Sequence, residues 1–159
     1  MFKRILIANR GEIALRILRC CREMEIETVA VYSTADKDAL HVQLATQSVC
    51  IGPPKAADSY LNMRAILAAA LKTGCDAIHP GFGFLSENSE FARLCAECGI
   101  VFIGPSGDVI DAMGNKSAAR TLMIRNRVSV VPGSDGAVET AEDAARIAEK
   151  IGYPVHIKA

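Results

Sequence analysis

A chain of 159 residues is the usual length of one domain and can bury roughly 70% of its unfolded surface. With 50% hydrophobic residues, it builds a core without disulfide or metal staples. Eighteen basic residues balance eighteen acidic ones and no charged tail stands out, which excludes nucleic acid or an anionic membrane as a partner recruited by bulk charge.

The opening segment is basic, but its apolar run, Ile5–Ala8, ends at Asn9-Arg10. That run is too short for a signal-peptide core, and no stretch approaches the ~20 apolar residues of a membrane span. The expected setting is cytoplasmic and soluble. Ile5–Ala8 reads as a first strand, followed by the turn Asn9-Arg10-Gly11. Ile13, Ile17, Cys20, Cys21 and Met24 then recur at helical spacing. Val29–Tyr32 is β-branched and apolar, a second strand; Asp36–Ala45 reads as a helix and Ser48–Ile51 as a third strand. Ser59 is placed to cap a helix carrying Leu61, Ile66, Leu67 and Leu71 and stopping at Gly74. Ala77-Ile78 is a fourth strand, Asn88–Cys98 a helix with Phe91, Leu94, Cys95 and Cys98 on one face, and Ile100–Ile103 a fifth strand.

This alternation predicts an α/β fold with a doubly wound parallel sheet, Rossmann-like. Right-handed crossovers would gather the strand-to-helix loops on one rim: Asn9-Arg10-Gly11-Glu12, Gly52-Pro53 and His79-Pro80-Gly81-Phe82-Gly83. The texture changes after Pro105, which places a boundary there, with residues 1–105 as one domain and 106–159 as the start of another. The second part reads as helix over Asp108–Arg125 with a break at Gly114. A short strand Val128–Val131, a helix from Thr140 to its stop at Gly152 and a last strand Val155–Lys158 follow.

Six cysteines point to thiols, and the Cys95/Cys98 pair, near the end of a helix, reads as small apolar packing rather than a metal or redox site. Cys20 and Cys21 read the same way. The first strand-to-helix turn has one glycine where a dinucleotide fingerprint needs three, Glu12 occupies the helix's positive end, and no P-loop is present. The loop from His79 to Gly83 stays open between a ligand cradle, with Gly81 and Gly83 letting backbone N–H groups approach, and a plain bend. His79, restrained by Pro80, reads as a brace rather than a base.

Taken in order, "RILIANRGEIALRI", "VCIGP", "SYLN", "AIHPGFGFLSEN", "FIGPS", "MGNKSAAR", "VPGSDG" and "GYPVHIKA" resemble the beginning of biotin carboxylase over the whole chain. The nearest type is the separate subunit of bacterial acetyl-CoA carboxylase, with pyruvate and propionyl-CoA carboxylases sharing the module. The resemblance implies an ATP-grasp ligase. ATP and bicarbonate, with Mg2+ (or Mn2+), give carboxyphosphate, whose carbon dioxide passes to the ureido nitrogen of biotin on a carrier protein, in fatty acid synthesis. It implies that a linker helix and the beginning of an ATP-grasp domain follow the sheet.

By the same resemblance, Lys116 and Lys158 fall on ATP-binding positions, Phe82 and Gly83 on the biotin-side rim, and Arg16, Arg19 and Glu23 on a homodimer contact. The expected partners are the biotin carboxyl carrier protein and carboxyltransferase subunits. Catalytic residues and metal ligands are expected beyond Ala159, so the chain alone is expected to be inactive. Some positions depart from the family. Asn126-Arg127-Val128-Ser129 replaces an Ala-Gly-Val-Pro run, Asn115 an aspartate and Thr46-Gln47 an acidic pair. His156 replaces an apolar residue; strand geometry would put it on the face of Lys158, with Val155 and Ile157 opposite, and the resemblance implies that this face meets the nucleotide, which sets His156 against the adenine. A non-catalytic module that dimerises with intact subunits, and a free-standing Rossmann-like binder, are the rival readings.

Overall fold

The computed structural model describes residues 1–134, 136 and 138–157, and at 116 and 117 the backbone. The chain divides into two compact units, Met1–Ile110 and Asp111–Ala159.

The first unit is built on a parallel sheet. Its strands are β1 (Arg4–Ile7), β2 (Glu27–Ser33), β3 (Gln47–Gly52), β4 (Ala77–His79) and β5 (Val101–Phe102), in the order β3-β2-β1-β4-β5. Every ladder is parallel; Leu6 lies beside Val29 on one side and Ile78 on the other. Side chains alternate along a strand, so the two faces of β1 serve two cores. Leu6 and Ala8 join Val29, Val31, Ile66, Ile78, Phe91 and Cys95. Ile5 and Ile7 join Ala14, Ile17, Leu18, Cys21 and Ala77. The helix α1 (Gly11–Glu23) supplies the second core, whereas α3 (Met63–Thr73) and α4 (Ser89–Glu97) supply the first. Helices on both faces are why the strands read as apolar runs rather than alternating ones.

Local chemistry sets the helix ends. Asn62 and Asn88 cap α3 and α4 through side-chain oxygens that accept from Ala65 N (3.0 Å) and Phe91 N (2.8 Å). Gly74 closes α3 in the left-handed region. The cap therefore falls at Asn62 rather than Ser59, whose buried hydroxyl donates to the Lys55 carbonyl at 2.9 Å. The helix expected over Asp36–Ala45 is also shorter. A 3-10 turn, Thr34–Asp36, precedes α2 (Leu40–Leu44), because the Asp36 carboxylate is committed to Ser33 and Ala39 is extended. Thr46 serves a local role, its hydroxyl accepting from Thr28 N (3.1 Å) while the Thr28 hydroxyl accepts from Thr46 N (3.3 Å).

Burial sorts the cysteines. Cys21, Cys75 and Cys95 are core residues, and burial pushes the Cys95 thiol up to about 12, a position from which no thiolate forms near neutrality. Cys20 and Cys98, expected on apolar stripes, are exposed, as is Met24: Met24 and Cys98 are the C-caps of α1 and α4, and Cys20 falls on the exposed side of α1 beside Arg16 and Arg19.

The helix α5 (Gly107–Gly114) runs across the division between the units, and α6 (Lys116–Arg125) and α7 (Ala141–Ile151) follow. Asn115 separates α5 from α6 and caps the latter, its oxygen accepting from Ala118 N at 3.0 Å. Asparagine and aspartate cap comparably well, so this departure costs little. α7 is capped by Thr140, whose hydroxyl accepts from Asp143 N at 3.1 Å.

No strand forms at Val128–Val131, nor among 155–157, the described part of the other expected strand. A strand needs a neighbour for its N–H and C=O groups, and among the described residues all five strands belong to the first unit's sheet. Val131 and Ile157 are each 82% exposed.

The C-terminal end of α6 is a Schellman motif, with Val128 N donating to Met123 O (2.9 Å) and Arg127 N to Ile124 O (3.0 Å). Its left-handed position is held by Arg127, at φ 59°, where a glycine carries no Cβ penalty. Arg127→Gly should therefore stabilise the second unit by about 1 kcal/mol. A chemical denaturation midpoint that falls in the variant would contradict this account of the turn.

Candidate functional site

The strand order reverses at β1, which leads to β2 and β3 on one side while β4 and β5 lie on the other. In open parallel sheets the crevice at such a switch point, outside the carboxyl ends of the strands, is where ligands bind. Here two loops meet in it: Ala8–Arg10 after β1 and Pro80–Asn88 after β4.

Asn9 joins them. Its side chain is buried, and Nδ2 donates to the carbonyls of Pro80 and Phe82, both at 2.8 Å. Its Oδ1 accepts from Arg10 N at 2.9 Å. Two carbonyls on one amide nitrogen leave a single sensible orientation for the group. Gly81 makes room for it: a Cβ there would lie 2.7 Å from Asn9 Nδ2 and 2.8 Å from Ile13 Cγ2, and φ is +67°. The Gly81 N–H donates to His79 Nδ1 at 3.1 Å, which makes that nitrogen an acceptor and His79 neutral. Burial acts in the same direction, lowering the His79 pKa. His79 thus braces the turn.

A second cluster holds the far end of the loop. Phe84, at φ 41°, is strained for a residue with a side chain. Its ring stacks on Tyr60 with centroids 5.1 Å apart and an interplanar angle of 18°. The Arg10 guanidinium lies over both rings, 5.4 Å from Tyr60 and 5.6 Å from Phe84. Asp36 anchors the group: it accepts from Tyr60 Oη at 2.6 Å and Ser33 Oγ at 2.7 Å, and lies 3.6 Å from Arg10. The Tyr60 hydroxyl in turn accepts from Ser33 N at 3.0 Å. Burial and then the Asp36 bond push the Tyr60 hydroxyl up to about 12. Partial burial opposes ionisation of Asp36, but the bonds from Tyr60 and Ser33, then the Arg10 charge, overcome it and hold its pKa below the usual carboxylate value. The result is a loop held on one side of Phe82-Gly83 by amide bonds and on the other by stacked rings.

The sequence-derived candidates separate accordingly. Phe82 and Gly83 lie on this rim, with Phe82 69% exposed and open space where a Gly83 Cβ would stand. Arg16, Arg19 and Glu23 share the exposed side of α1. His156 is exposed and not on a strand. Lys116 opens α6, and its side chain, like Lys158 as a whole, lies outside the described residues. Asp36, Tyr60 and Phe84 were not singled out by sequence, and Asn9 and Arg10 were expected on the rim but given no role. The available signal was Asn9-Arg10 placed directly after a strand, on the rim shared with the His79 loop. Among the described residues no three His, Cys, Asp or Glu side chains gather at metal-binding spacing, so none is assigned to magnesium. Among the same residues no helix is long and apolar enough to cross a membrane.

Comparison with known proteins gives this geometry its context. The family "Biotin carboxylase, N-terminal domain" matches residues 1–110, and "Carbamoyl-phosphate synthase L chain, ATP binding domain" matches 115–159. Biotin carboxylase 1 of Bacillus subtilis (strain 168) is 59% identical over 159 residues, 100% of this chain and 35% of that protein. The biotin carboxylase–beta-gamma-ATP complex from Campylobacter jejuni superposes with a TM-score of 0.88 at 53% identity, over 97% of this chain and 34% of that one. The biotin carboxylase domain dimer of Hydrogenobacter thermophilus 2-oxoglutarate carboxylase, in complex with MgADP, ADP and bicarbonate, gives 0.86 at 51%, over 97% and 34%. The chain spans about a third of the length of the curated relatives it matches. With the N-terminal-domain match covering residues 1–110 of 159 and a fold to agree, the chain belongs to the biotin carboxylase family.

Proposed function

We propose that this chain forms the N-terminal domain and the beginning of the ATP-binding domain of a biotin carboxylase. The activity is carboxylation of biotin on a carrier protein at the expense of ATP and bicarbonate, with Mg2+ (or Mn2+) held by residues outside this chain. One observation carries the reading: the N-terminal-domain match extends over residues 1–110, and within it the sheet's switch point carries a braced loop presenting Phe82 and Gly83. The structural relatives bound to ATP analogue, MgADP and bicarbonate support the substrates.

In this reading the domains are 1–105 and 106–159, and Phe82 and Gly83 line the biotin side. Lys116 and Lys158 meet ATP phosphates as point charges, and His156 lies against the adenine. Arg16, Arg19 and Glu23, exposed on α1, form the homodimer contact. The parent assembly is an acetyl-CoA carboxylase acting in cytoplasmic fatty acid synthesis, with carboxyltransferase subunits as partners.

In the full-length protein carrying this chain, Lys116→Ala and Lys158→Ala should each raise KM for ATP about tenfold or more, since each removes a charge-assisted phosphate contact. KM for biotin should stay near the parent value. An unchanged KM for ATP in both variants would overturn the assignment of the two lysines.

A further inference from the structure

The Asn9 side chain, in the turn after the first strand, fastens the loop Pro80–Phe84 at two of its carbonyls, and the fastening has a direction. The peptide plane between Pro80 and Gly81 is held at both edges: its carbonyl accepts from Asn9 Nδ2 (2.8 Å) and its N–H donates to His79 Nδ1 (3.1 Å). The plane between Phe82 and Gly83 is held at its carbonyl, again by Asn9 Nδ2 at 2.8 Å. Because a trans peptide sets C=O and N–H on opposite edges, that bond turns the Gly83 N–H away from Asn9. The same bond fixes the backbone from which the exposed Phe82 ring projects.

From this arrangement we infer that Asn9 is a positioning residue for substrate: it sets the direction of the Gly83 N–H and of the Phe82 ring without touching the substrate itself. The inference rests on the biotin-side reading of Phe82 and Gly83. Asparagine is required because both partners are carbonyls, which demand two donors from one group; aspartate is isosteric and offers none. Burial sharpens the requirement, since Asn9 is 4% exposed and no water competes easily for its bonds. Gly81 is the complementary half of the device, because a Cβ would stand 2.7 Å from Asn9 Nδ2 and displace it. Arg10, Tyr60 and Phe84 hold the loop's other end but make no bond to the Phe82–Gly83 peptide.

The test uses the full-length protein that carries this chain, with free biotin as the probe. Asn9→Asp should lower kcat/KM for biotin about tenfold, while ATP cleavage in the absence of biotin stays within about twofold of the parent. Gly81→Ala, which strikes the same amide from the other side, should show the same split and serves where Asn9→Asp does not yield folded protein. Equal losses in the biotin-dependent and biotin-independent rates, in whichever variant folds, would reduce Asn9 to a structural residue and overturn the inference. So would an unaltered kcat/KM for biotin. Phe82→Ala, measured alongside, separates the two levels. If Phe82→Ala lowers kcat/KM for biotin and Asn9→Asp does not, only the positioning role fails. If Phe82→Ala is silent, the biotin-side reading fails and the inference with it.

Discussion

Asp36→Ala should lower the stability of the first unit by about 3 kcal/mol, since it removes the acceptor of two hydroxyl bonds to a charged group. Tyr60 and Ser33 are both fully buried, and their hydroxyls donate to Asp36 Oδ2 at 2.6 Å and 2.7 Å. Truncation leaves both donors inside the protein with no acceptor, which costs more than the bonds themselves contributed. Arg10 loses its counter-charge at 3.6 Å and with it part of its hold over the Tyr60 and Phe84 rings. The thermal midpoint should fall by roughly 10 °C. The same carboxylate carries a pH signature. Its folded pKa lies below the ordinary 3.8, so its contribution is complete above that value and is lost as pH falls through the folded value. Asp36→Asn should therefore flatten the acid limb of the stability profile below pH 3.8. An Asp36→Ala protein that melts with the parent would show that the cluster is decorative.

Gly52→Ala should be more damaging, destabilising by about 4 kcal/mol or preventing folding of the first unit. Gly52 ends β3 with φ at 151°, and a Cβ would lie 2.2 Å from the Asp58 carbonyl oxygen. That atom belongs to the backbone of the 3-10 turn Ala56–Asp58, so no flexible side chain can swing aside. The chain there must approach itself closely because the turn leads into Ser59 and Tyr60, which are buried against the sheet. Soluble yield and urea midpoint report the effect; a loss below about 1 kcal/mol would mean that the turn can shift to accept the methyl.

Much of this architecture was legible from residue order. Apolar runs such as Ile5–Ala8 and Val29–Tyr32, separated by helical spacings, demanded a sheet covered on both faces, and the alternation of Leu6 with Ile5 and Ile7 fills two cores accordingly. The Gly81-Phe82-Gly83 loop and its place on a shared rim followed from parallel winding. Its mechanism did not. Asn9 works through carbonyls 71 and 73 residues away, and Asp36 through a tyrosine 24 residues on. No local period encodes such contacts; they exist only once β1, β2 and β4 lie side by side. Where the reading overreached, at Val128–Val131 and Val155–Ile157, β-branched composition was taken for a strand without a neighbour to pair it.

Fixation of labelled bicarbonate onto free biotin tests the central claim most directly. Purified full-length protein carrying this chain, supplied with ATP, Mg2+ and biotin, should form labelled carboxybiotin in strict dependence on ATP, while residues 1–159 alone should form none. Label fixed by the 159-residue chain alone, or none fixed by the full-length protein, would contradict the account.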